Sequence, residues 1–254
     1  MPAVRPDAIE ESFVRILIFQ HLAVEHAGCF GDFWRQDGHE MKVVELDEGE
    51  SIPNLDDFDL LAVMGGPMDT WQEDVHPWLV AEKAAIRRWV KDMGRPYLGI
   101  CLGHQLLADA LGGKVSLMAR PEVGLARVKL TRSGRDDRLF LGVNNVVETL
   151  QWHGAEVSEL PEHGEILAAN AACPVQAMKW GRHAYGFQYH MEITDRTVGD
   201  WKLIPEYRAS LEKALGIERA EGLAAEVAPR LGALKSAARQ INDNFWALVR
   251  SPTT

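Results

Sequence analysis

Cysteine is scarce in this chain. Three occur among 254 residues, at 29, 101 and 173, about 72 positions apart. An odd number at such spacing supplies neither a disulfide framework nor a paired-cysteine zinc site, and it fits a reducing compartment, so the cytoplasm is expected. Basic charge is also in short supply. Against 37 Asp and Glu stand 27 Lys and Arg, a formal net charge of −10, which argues against a nucleic-acid or anionic-membrane surface and suits a protein that handles small molecules. Long apolar runs are missing: stretches such as "LLAVM" at 60–64 are far too short to span a bilayer. The first residues, "MPAVRPDAIEES" (1–12), lack the basic start and apolar stretch of a signal peptide and read as a flexible lead-in. The nine histidines form no H-E-x-x-H pattern, so neither a metal nor another cofactor is expected. His21, His26 and His39 read as solvated or structural, and Asp69, Trp71 and His76 as shaping a loop.

What is present is enough apolar material, 46% of residues, to bury a sizeable core. "VRILIFQH" (14–21) is apolar on both faces, as a strand covered on both sides would be. A helix around 30–37 ends at Gly38, "MKVVELDEG" (41–49) is a second strand, and "DLLAVMGGP" (59–67) a third that runs into a glycine turn. Asp74 then caps a helix with apolar positions Val75, Trp78, Leu79, Ile86, Trp89, Val90 and Met93, stopped by Gly94 and Pro96. "PYLGI" is a fourth strand and "LGHQLLADALGG" a helix closed by Gly112 and Gly113. Four alternations of strand and helix imply an α/β fold with an open, mostly parallel, doubly wound sheet and helices on both faces. From about 115 to 190 short strands ("VGLARVKLT", "NVVETLQWHG", "EILAANAACPVQAMKWG", "HAYGFQYH") are expected to extend the sheet and add antiparallel strands at an edge. The remainder is helical. The expected organisation is a lead-in over 1–12, a domain over 13–195, and a helical C-terminal extension over 196–254 packed on that domain.

"YLGICLGHQLLADALGG" (97–113) places Cys101 between two glycines where strand gives way to helix. A sharp corner there lifts one side chain over the end of the sheet, where open α/β sheets bind ligands, and bulkier neighbours would collide. The helix N-terminus favours a thiolate, and the Leu102 N–H points into the same space. Taken alone, the corner fits a packed thiol and a nucleophile equally well. A nucleophile needs a base and an orienter, and "YGFQYHMEIT" supplies both: His190 and Glu192, two apart on a strand, share one side. "MGGPMDT" (64–70) ends a strand, and the Gly66 N–H can join that of Leu102 in stabilising an oxyanion.

"GICLGHQ" (99–105), "GGP" (65–67) and "GFQYHME" (186–192), in the family's order, with "RPEVG" (120–124) and "WHG" (152–154), resemble the class I (triad) glutamine amidotransferases, in particular stand-alone proteins similar to the GMP synthase amidotransferase domain. The resemblance spans about residues 14–195 and implies a flavodoxin-like fold. It implies that Cys101 attacks the amide of glutamine, His190 protonates the departing ammonia, and water then releases glutamate from a γ-glutamyl thioester. Gln105 matches a position that holds the substrate, and His153 lies in the segment that contacts its α-amino and carboxylate end. Met191 stands where the family usually has proline, leaving the backbone between His190 and Glu192 less fixed. Tyr189 replaces a usual phenylalanine, and Ala155 an aspartate that often follows "HG".

Neither a P-loop nor an "SGG" phosphate loop accompanies these motifs, and a tail of about 60 residues is too short for a synthase domain. Three readings follow. The chain is a glutamine-hydrolysing subunit whose ammonia goes to a synthase partner, or a stand-alone hydrolase of γ-glutamyl peptides or amides, or a catalytically silent binding module on the same fold. The intact Cys101, His190 and Glu192 weigh against the last.

Overall fold

In the computed structural model, which describes residues 13–250, the first strand, β1 (Arg15–Gln20), is buried at five of its six positions. Its side chains alternate between two cores. Ile16 and Ile18 join the cluster on one face of the sheet, and Leu17 and Phe19 the cluster on the other. The same split continues across β2 (Glu40–Glu45), β3 (Leu60–Val63) and β4 (Tyr97–Ile100), which pair in parallel with β1 or with one another.

One face is covered by α1 (Gly28–Gln36), through Phe30 and Trp34, together with the C-terminal helix α8 (Leu231–Arg250), through Ala238, Ile241, Phe245 and Trp246. The other is covered by α2 (Trp78–Arg87) and α3 (Leu102–Ala110). The helix expected to start at Asp74 starts later, at Trp78 behind Pro77. Proline is tolerated at a helix start because the amide hydrogen it lacks would have no partner there. Val75, counted among the apolar positions of that helix, is 69% exposed in the turn before it. The helical path runs on through a wider turn, Arg88–Asp92, which buries Trp89 and Val90. The strand–helix alternation is also interrupted: β2 and β3 are joined by a single 3-10 turn, Leu55–Asp57, and not by an α-helix.

Among the described residues the sheet has nine strands in the order β2-β1-β3-β4-β9-β8-β7-β5-β6. β9 (Ala184–Phe187) is parallel to β4, and antiparallel pairing then runs outward through β8 (Ala177–Trp180), β7 (Gly164–Ala169), β5 (Lys114–Leu130) and β6 (Val146–Glu159). "EILAANAACPVQAMKWG" is thus two strands, β7 and β8, with Cys173 in the loop between them. A short α4 (Arg132–Asp136) follows β5.

After β9 come α5 (Thr197–Trp201), α6 (Pro205–Leu215) and α7 (Ile217–Val227). These three pack a separate apolar cluster onto Leu150 and Trp152 of β6, including Trp201, Tyr207, Leu211 and Leu223. The sheet's C-terminal edge is therefore roofed by chain drawn from the last quarter of the molecule. No described helix is long and apolar enough to cross a membrane. The lead-in over residues 1–12 lies outside the described residues.

Candidate active site

Cys101 sits between β4 and α3 with φ +51° and ψ −103°, a left-handed backbone that L-residues rarely adopt. Close packing enforces the corner. A Cβ on Gly103 would lie 2.1 Å from the Val63 carbonyl oxygen, and one on Gly99 would lie 2.6 Å from the backbone of Gly103. The Cys101 N–H donates to Phe187 O at 2.8 Å, fastening the corner to the end of β9. Cys101 is 6% exposed and borders a cavity of about 190 Å³ lined by Gly66, Gln105, Trp152, His153 and Tyr207, among others.

His190 contacts the Cys101 thiol with one side of its ring, and its Nδ1–H donates to Glu192 Oε1 at 2.7 Å. The pair lies beyond the end of β9, not within a strand as expected. His190 makes one isolated bridge to Leu150, through its N–H to Leu150 O at 2.9 Å. The segment is nevertheless fixed without a proline at 191. The Cys29 thiol donates to Met191 O (3.3 Å) and the Cys29 N–H to Glu192 O (2.7 Å). Gly28 makes that approach possible, since a Cβ there would fall 1.8 Å from the Glu192 oxygen. Trp201 packs edge-to-face on the imidazole, ring centres 4.5 Å apart. Burial works against a charge on His190, but Glu192 and the Cys101 sulfur outweigh it and raise the imidazole well above its usual value. Burial pushes the thiols of Cys29 and Cys173 up to about 12, leaving both protonated at neutral pH. All three cysteines are free.

Gly66 lines the cavity, and a Cβ on it would lie 2.9 Å from the Leu102 side chain, so the two residues assigned to the oxyanion are neighbours. As the first residue of α3, Leu102 has an N–H with no partner inside the helix. Gln105 is buried at the cavity wall and donates through Nε2 to Ala155 O and to Gln188 Oε1, each at 3.1 Å. The ring of His153 is turned away, Nδ1 on Ala155 O at 2.9 Å and Nε2 3.4 Å from Glu122, its cross-strand partner. His153 nevertheless borders the cavity.

His21, expected to be solvated or structural, is structural. It is fully buried, its Nδ1–H on Gly65 O and its Nε2–H on Glu82 Oε1, both 2.8 Å, and it clamps the "MGGP" loop beneath the cavity. Burial opposes a charge on this ring, but Glu82 and the Gly65 carbonyl outweigh it and raise the imidazole above its usual value. Asp69 lines the cavity, while Trp71 is 45% exposed beside it.

Sequence reasoning missed Gln188, whose Nε2 lies 3.7 Å from the Cys101 sulfur, although its place two residues before His190 was a readable signal. It also missed Glu25 and Tyr207. Glu25, His190 and Glu192 bring ligand-type atoms within 4.8 Å of one another, Glu192 also bonding to His190 and Glu25 to Tyr207. The structure thus brings a thiol, an imidazole bonded to a buried carboxylate, and the start of α3 next to the glycine turn at Gly66 together beside one cavity.

Comparisons with known proteins agree on the kinship. The family model for class-I glutamine amidotransferases matches residues 33–204. The glutamine amidotransferase-like protein YfeJ of Salmonella typhimurium is 32% identical over 189 residues, 73% of this chain and 78% of its own. A subunit of the glutamine-hydrolysing GMP synthase of Sulfolobus acidocaldarius is 31% identical over 60% of this chain and 77% of its own. Among solved structures, a glutamine amidotransferase of Thermotoga maritima superposes with a TM-score of 0.82 at 26% identity, covering 94% of this chain and all of its own. One from Methylobacillus flagellatus gives the same TM-score and identity over 96% and 98%.

Proposed function

The chain belongs to the class-I glutamine amidotransferase family, and from that premise we propose that it hydrolyses the side-chain amide of glutamine through Cys101, His190 and Glu192. The observation that carries this is the contact of a thiol on a left-handed corner with an imidazole that a buried carboxylate orients. Glutamine enters the cavity with its amide over Cys101 and its polar end toward Gln105 and the backbone of His153. His190 Nε2 takes the thiol proton, and sulfur attacks the amide carbon. The resulting oxyanion faces the N–H groups of Gly66 and Leu102. As the C–N bond breaks, His190 returns its proton to the leaving nitrogen, releasing ammonia and a γ-glutamyl thioester. Water, deprotonated by His190, then displaces sulfur and yields glutamate. No cofactor enters the scheme. Three of the relatives are subunits of glutamine-hydrolysing GMP synthases, which supports a separate synthase partner as the acceptor of the ammonia.

The test is to incubate the purified protein with glutamine and a panel of γ-glutamyl peptides and amides, measuring ammonia and free glutamate. Ammonia from glutamine is expected, absent from Cys101→Ala and reduced about 10³-fold or more in His190→Ala. Full turnover in Cys101→Ala would remove the nucleophile, while cleavage of γ-glutamyl peptides without ammonia from glutamine would make the chain a γ-glutamyl hydrolase.

A further inference from the structure

Two residues without a part in that scheme converge on the same imidazole. Glu25, on the loop between β1 and α1, is 3% exposed, and its carboxylate accepts a hydrogen bond from the Tyr207 hydroxyl of α6. Its other oxygen lies near the Cε1 edge of His190: a methyl group on Gly65 would sit 2.5 Å from Glu25 Oε2 and 3.3 Å from His190 Cε1. The Tyr207 ring packs on Trp152 and Trp201 and lines the cavity that holds Cys101. Both residues lie outside the stretch matched by the family model, 33–204.

Resting on the assignment of His190 as the base, we propose that Glu25, held by Tyr207, is a positioning residue: a second carboxylate that, with Glu192, stabilises the imidazolium formed when Cys101 gives up its proton. The argument is one of cost. An ionised carboxylate without solvent is expensive unless a charge or several donors compensate it. Docking α6 would need only a neutral acceptor, and α6 is already seated by aromatic packing. Glu25 instead keeps its carboxylate within 4.8 Å of a ring nitrogen of His190. Burial raises its carboxyl to about 6, opposed by the positive charge of His190 and by the Tyr207 hydroxyl, so at neutral pH it is largely ionised.

The titratable groups around the pair can be named. Glu192 and Cys101 face His190 directly. Tyr207 faces Glu25 from α6, and His21, bonded to Glu82, faces it from the end of β1. Glu192 also repels Glu25. Asp69 and Glu206 line the same cavity. Of these, only His190 and its thiol partner change charge during the proposed reaction.

The experiment is a pH titration of the His190 Cε1–H signal by NMR in protein labelled with 13C-histidine, the signal being identified by its loss in His190→Ala. Glu25→Gln keeps an oxygen for the Tyr207 hydroxyl and removes only the charge. The imidazolium midpoint is expected to fall by about one pH unit, a roughly tenfold change in the protonation equilibrium. On the substrate that the panel identifies, kcat is expected to fall with KM unchanged. Tyr207→Phe, which withdraws the donor that favours ionised Glu25, is expected to move the midpoint in the same direction. An unchanged midpoint in folded Glu25→Gln would overturn the proposal and leave Glu25 a docking contact. Should that variant not fold, an unchanged midpoint in Tyr207→Phe would overturn it. The titration needs no substrate, so a protein that proves inactive on glutamine leaves this result readable.

Discussion

At the scale of single residues, the site holds groups in states that folding alone would not choose. Cys101 keeps a left-handed backbone, and Glu25 keeps a carboxylate out of water. The second has a measurable pH signature. With its carboxyl raised from 4.5 to about 6, folded protein holds a proton between those values that the unfolded chain has released. Stability contributed by this group is therefore present at low pH and declines as pH climbs through that window. Above it, the cost is about 1–2 kcal/mol, so Glu25→Gln should be more stable than the parent by about that amount at pH 8 and equal to it near pH 4.5. Urea unfolding at the two pH values measures this, and equal stability at both would show that burial of Glu25 carries no net cost. A variant that gains stability while its imidazolium weakens would display the usual opposition between an optimised fold and an optimised site.

At the scale of elements, α5 is only five residues long, and its work is to deliver one side chain. Trp201 touches His190, Trp152 and Tyr207, and its Nε1–H donates to Val24 O at 3.1 Å. Trp201→Ala should cost about 3–5 kcal/mol in urea unfolding, the range for a buried tryptophan truncated in a core. A cost under about 1 kcal/mol would mean that α5 is not part of the cooperative structure. Legibility follows the same elements. β1, β3 and β4 could be read because strands covered on both faces become unbroken apolar runs. The first half of β5 could not: every position of "KVSLMARPEV" is exposed or half-exposed, since this arm pairs only with β6 and reaches a core only at isolated points such as Val115 and Val123. Cys101, His190 and Glu192 were legible because local sequence carries their geometry, a glycine-flanked corner and two side chains two residues apart. Glu25 and Tyr207 meet across 182 positions, and no local period encodes such a contact.

At the scale of the whole molecule, the parallel sheet is not sealed by its own helices. The face that carries Ile16, Ile18, Leu98 and Ile100 is completed by Ala238, Ile241, Phe245 and Trp246 of α8. A chain ending at residue 230 should therefore expose an apolar patch, bind the dye ANS and lose its cooperative unfolding transition, in contrast to the full chain. A sharp transition at the parent's midpoint would show that α8 is dispensable to the core. The position of α8 also bears on the order of events during synthesis. A ribosome delivers β1 early and α8 late, so a nascent chain carries one uncovered sheet face until that helix has emerged. Tyr207, too, reaches Glu25 only late. The surroundings of the thiol are therefore completed only after the helices that follow β9 have been made.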